Sequence, residues 1–216
     1  MESPENKKDF FPFAIHIINA AIIAFSFELV KDDFIPFNLI VTFSDKVNFI
    51  AVLFVWGFLI SGWLGYTKSV KDKPHKEGIV GNLRFVTELV ISFFMLYLFV
   101  IADKDKFASN FGTAFVWFIP MIFGLFIIWD LLKYREYNQE SPEDLKRRMF
   151  YTVYTFFAIL AQDLFYNLYS GTLIAGFSFD KNWTLLIFIG ISSVIIGIYR
   201  VLKGSTEGAN VKVEEG

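Results

Sequence analysis

The chain is 216 residues long, 55% hydrophobic and 19% charged, with a net charge of −2 and a mean hydropathy of +0.48. Soluble domains carry about 25% charged residues, and an aromatic content of 19% argues against disorder. There is no cysteine for a disulfide scaffold, and the near-zero net charge excludes a global basic field for nucleic acid. The composition predicts an integral membrane protein: roughly 119 apolar residues match the about 120 that six helices of about 20 residues require.

Residues 10–27, 47–67, 107–129 and 182–199 carry no formal charge, and 85–102 and 149–172 each hold one acid, Glu88 and Asp163. The apolar runs are continuous rather than alternating, so they are expected to be helices and not barrel strands. The predicted fold is an all-α, polytopic six-transmembrane-helix bundle built of three helical hairpins. Its spans are 10–30, 47–67, 85–102, 113–133, 149–172 and 183–203, in a single domain 1–203 followed by a flexible polar tail, 204–216.

The first span follows Lys7 and Lys8 without a small-x-small cleavage site, so it is expected to be a retained helix. On it His16, Asn19, Ala20, Ala24 and Glu28 form a stripe. His16 reads either as a hydrogen-bonded interior histidine or as part of a proton relay with Asn19 on the inner side. The next segment, 34–43, is mostly apolar and too short to span; it reads as an interfacial segment or a re-entrant loop. Span two carries Gly57, Ser61 and Gly65 at four-residue spacing, and span six carries Gly190, Ser193 and Gly197 similarly. Both faces predict close helix packing, either within the monomer or in a homo-oligomer. In span four Pro120 cannot donate its backbone bond and frees the carbonyl of Val116.

Charges near span ends are expected to be interfacial: Glu28 and Asp130 within reach of water, and Glu88 paired with Arg84 one turn earlier. Asp163 is different, because it falls near mid-span with no lysine or arginine predicted at its depth. A buried carboxylate without a cation must protonate, face water or bind a cation; the alternative is a protonated side chain acting as packing glue. Thr152, Thr155, Gln162, Asp163, Tyr166, Asn167 and Ser170 recur at helical spacing, so this polar stripe is predicted to face inward.

Three second helices end alike: Trp63 to Lys68, Trp129 to Tyr134, and Tyr199 to Lys203. Glu2-Ser3-Pro4-Glu5 recurs as Glu140-Ser141-Pro142-Glu143. Ser as a cap with Pro at the first helical position marks a helix start. These likenesses fit either convergent capping or duplication of one hairpin. With the N-terminus inside, fifteen lysines and arginines lie in inner segments and five in outer ones, which predicts cytoplasmic N- and C-termini.

No zinc-protease helix, nucleophile elbow, nucleotide loop or voltage-sensing helix is present, so neither an enzyme nor a metal or other cofactor is expected. The leading expectation is passage of a small cation or proton by a channel or transporter of the plasma or bacterial inner membrane. In it Asp163 bears the charge, Gln162, Asn167 and Thr155 tune it, and His16 and Asn19 relay it. The second is a non-transporting sensor, effector or assembly subunit that meets a membrane partner or anionic lipid through basic inner loops. The third is an enzyme acting on lipid.

Overall fold

A computed structural model describes the backbone of residues 4–34, 40, 42–102, 104–137, 139–140, 142–171 and 181–208; side chains at 4–9, 33–34, 102–115, 167–171, 181 and 205–208 are left undescribed. The described residues form helices and no strands: α1 (Pro4–Phe34), α2 (Phe43–Asp72), α3 (Ile79–Ala102), α4 (Lys104–Tyr137), α5 (Pro142–Gly171) and α6 (Lys181–Gly208). Five contain stretches long and apolar enough to cross a bilayer: Phe10–Asp32, Phe43–Asp72, Ile79–Ile101, Val116–Tyr137 and Asn182–Gly204. The chain is thus built as a multi-pass membrane protein. α5 is long enough at 30 residues, but its polar stripe lowers its hydropathy.

The helix starts follow local chemistry. Both Ser-Pro-Glu segments begin a helix on the proline, Pro4 and Pro142. That position has no intrahelical partner for the missing N–H. α2 is capped by Thr42, whose Oγ1 accepts from the Asp45 backbone N–H while Asp45 Oδ2 accepts from the Thr42 backbone N–H. α4 runs through Pro120 without ending. α6 runs on to Gly208, so the first part of the predicted tail is helix; 209–216 lie outside the described residues. The same holds for 35–39 and 41 of the apolar 34–43 segment.

Consecutive helices α3, α4, α5 and α6 pack side by side, and α6 closes back on α2. α1 lies outside this ring and leans on α3 more than on α2, so the first predicted hairpin is not a self-contained unit. The start of α1 and the end of α6 lie at one end of the bundle: Phe11 stacks on Phe85 of α3 at 4.5 Å, and Lys203 reaches Asp130 of α4. The centre is aromatic, with Phe58 of α2 stacked on Phe123 of α4 at 5.8 Å. Lipid is as apolar as these rings, so close packing and polar contacts between helices must hold the bundle together. Phe93, Phe150, Phe157 and Phe165 point outward, as lipid-facing bulk should.

Within this single chain most of the two small-residue faces does not pack helix against helix, which leaves the homo-oligomer alternative as the reading for the outward rows. Gly57, Gly190 and Gly197 have no atom within 4 Å of a Cβ position, and all three are exposed with Ser193. Ser61 is half-buried and its hydroxyl donates to Phe58 O of its own helix. Gly65 does make room, but for a side chain: an added Cβ would lie 2.5 Å from Arg200 Nη1.

Candidate functional site at the polar end of the bundle

The sequence places the α5 stripe inward, and Thr152, Thr155, Asp163 and Tyr166 are buried along one face, while Tyr154, Phe157 and Phe165 point outward. Asp163 is 0% exposed. Beside it, Gln162 donates from Nε2 to Phe188 O at 2.6 Å and accepts from Ser192 Oγ at 3.2 Å, which ties α5 to α6. Thr155 donates to Tyr151 O of its own helix. The Asn167 side chain lies outside the described residues. His16 accepts at Nδ1 from Trp63 Nε1 at 2.7 Å, and Asn19 accepts from Ser92 Oγ at 3.3 Å. Three of the six predicted residues therefore meet different helices: His16 meets α2, Asn19 meets α3 and Gln162 meets α6.

The dense chemistry lies instead where α2, α4 and α6 end and α3 and α5 begin. Asp130, expected to reach water, is 4% exposed. Lys203 donates to both its oxygens, at 3.0 and 2.8 Å, and to Tyr199 Oη at 2.8 Å. Thr152 of α5 also donates to Asp130, so one carboxylate joins three helices. Arg84 does not pair with Glu88. Its guanidinium is fully buried, donates to Glu136 of α4 and to Lys73 O (2.8 Å), and lies 5.0 Å from the Trp129 ring. Neighbours in sequence lost to a partner 52 residues away because Glu136 offers a buried carboxylate that also accepts the Lys76 N–H.

Lys133 is also buried, and its Nζ donates to the hydroxyl and carbonyl of Ser69. Glu88, freed from Arg84, turns into a cleft of about 330 Å³ whose walls include Lys68, Ser69, Trp129, Arg200 and Lys203. Its rim carries exposed Leu64 and Lys68, so it opens sideways between α2 and α6. The cleft is made of the three similar helix ends seen in the sequence. All three end at the same level, so their interfacial aromatics and cations meet.

The connection 73–78 closes this end. Tyr137 donates to Pro74 O, and Gly78 takes a φ of +128°, a backbone state that side chains disfavour. His75 is buried against Phe11, Phe85 and Tyr66, with Nε2 3.3 Å from Tyr66 Oη. Burial, then the charge of Arg84, lowers its pKa from 6.5 to about 3. The folded state keeps His75 neutral, whereas an unfolded chain protonates it below about pH 6.5. Its contribution to stability is therefore complete above that pH. It falls by up to about 1.4 kcal/mol per pH unit as pH drops toward 3. Between pH 6.5 and 5 wild type is expected to lose about 2 kcal/mol more than His75→Asn in detergent unfolding. Equal slopes would assign the effect to other groups.

Comparison with protein-family models, with curated proteins and with solved structures finds no match to this chain.

Proposed function

We propose that this is a six-span integral membrane protein with both termini in the cytoplasm, acting there as a non-transporting sensor, effector or assembly subunit. The observation that carries this reading is the gathering of buried charge at one end: Arg84, Lys133, Arg148, Asp130 and Glu88 all lie there, out of water. Burying such groups is costly, and clusters of buried, perturbed charge are enriched at functional sites. The lysine and arginine distribution supports an inward orientation of this end. The siting of the first helix start and last helix end together supports an even number of crossings, with α5 as the sixth. The cleft at this end is lined by three cations and one acid, a poor entrance for a small cation.

Passage of a proton or small cation past Asp163 is the competing reading, favoured by that carboxylate's full burial. Proton and potassium flux into liposomes containing wild type or Asp163→Asn separates the two. Flux no greater than in empty liposomes is expected for both. Wild-type flux that the substitution abolishes would restore transport.

A further inference from the structure

We propose that Ser69 and Lys133 form a nucleophile and base pair that cleaves an acyl ester of a glycerolipid admitted sideways into the cleft between α2 and α6. Ser69 lies in the last turn of α2, on the cleft wall. Its backbone is held by the Lys73 N–H, which donates to its carbonyl at 3.0 Å. Hydroxyls elsewhere, such as those of Ser26, Ser61 and Thr87, are spent on carbonyls of their own helix. The Ser69 hydroxyl instead meets the Lys133 amine of α4, 64 residues away. Lys133 is 1% exposed and lies behind the wall, and among the described residues its hydrogen bonds all go to Ser69. A lysine amine kept from water, bonded to a hydroxyl and to no carboxylate, is placed to take that hydroxyl's proton.

The cleft supplies the surroundings that such a pair needs. Phe126, Trp129 and Tyr199 give it aromatic walls, and exposed Leu64 stands at its lateral opening. A lipophilic ester suits that lining better than a charged solute does. Gly65 and Ser69 are four residues apart on one face of α2, with about 5 to 6 Å between their Cβ positions. Gly65 makes room for Arg200 Nη1, so a positive charge stands about one helical turn from the hydroxyl and favours an oxyanion there. In the reaction Ser69 Oγ bonds to the ester carbonyl carbon, and Lys133, as the neutral amine, takes the hydroxyl proton. The tetrahedral intermediate breaks its bond to the glycerol oxygen, which leaves with that proton. Water then attacks the acyl-serine, gives one proton through Lys133 to Ser69 Oγ, and releases the fatty acid. The inference goes beyond the proposed non-transporting role and does not depend on which leaflet the polar end faces.

Labelling of the full chain in detergent with a fluorophosphonate probe, together with oleate release from dioleoylglycerol in mixed micelles, tests it. Wild type should take a single probe adduct, on Ser69, and release oleate. Ser69→Ala should lose both, and Lys133→Met should slow both about 100-fold. A wild type with no adduct on Ser69, or with no oleate release above that of Ser69→Ala, overturns the proposal. So does an unchanged labelling rate in Lys133→Met, because a lysine that only packs against Ser69 would not activate its hydroxyl. Release of acetate from water-soluble triacetin but no oleate from dioleoylglycerol overturns the lipid assignment in favour of a soluble ester. Should Lys133→Met not fold, Ser69→Ala, which removes only the hydroxyl oxygen, decides on both readouts.

Discussion

Asp130→Ala is expected to destabilise the protein by about 3 to 5 kcal/mol. The substitution removes the carboxylate that Lys203 meets through both oxygens, beside the neutral hydroxyls of Thr152 and Tyr199. It also separates α4 from α5 and α6 at the point where one carboxylate holds both. Most of the loss is the cost of taking this carboxylate away from a part-buried cation, not the worth of the pair. Asp130→Leu combined with Lys203→Met should therefore recover most of the stability. Chemical unfolding in mixed micelles measures all three proteins. A loss under about 1 kcal/mol in Asp130→Ala would show that water reaches the pair as it reaches a surface salt bridge.

Gly81→Ala is the second large effect, expected at about 3 kcal/mol. Gly81 sits in the first turn of α3, where an added methyl would overlap the Lys76 carbonyl oxygen and come to 3.1 Å from Glu136 Oε1. The first obstacle is backbone and cannot swing aside. The 73–78 connection must lift, which loosens the Lys76 N–H from Glu136 and disturbs the carboxylate that holds Arg84. Gly197→Ala is the matched control, because nothing lies within 4 Å of its Cβ position. It should be neutral, or stabilising by up to about 1 kcal/mol through helix propensity. Melting temperatures in the same detergent compare the two, and equal shifts would contradict the close approach at Gly81.

How much of this could be read in the amino-acid order depends on range. The α5 stripe was legible because helical period is local: three- and four-residue spacing from Thr152 to Tyr166 places those side chains on one face whatever surrounds them. The α2 cap was equally local, and Thr42 three residues before Asp45 is a signal that could have marked it. The charged end was not legible. Asp130 and Lys203 are 73 residues apart, and Arg84 and Glu136 are 52 apart. Nearness in sequence pointed Arg84 to Glu88 instead. The likeness of the helix ends at 63–68, 129–134 and 199–203 was the visible trace of the cleft, although it carried no information that the three ends touch.

The small-residue faces teach the same lesson from the other side. Spacing puts Gly190, Ser193 and Gly197 in a row, but only the position of the neighbouring helices decides whether the row meets a partner, and here it faces outward. By itself the sequence determined that the chain forms long apolar helices suited to lipid, and that the α5 polar stripe turns inward, because length, hydropathy and period are sums over neighbours along the chain. Only the tertiary structure decided that Asp130 is buried beneath Lys203, that Arg84 serves Glu136, and that Gly65 seats Arg200. Those outcomes depend on which carboxylate a buried cation can reach across helices, and a low-dielectric interior makes that choice strongly selective.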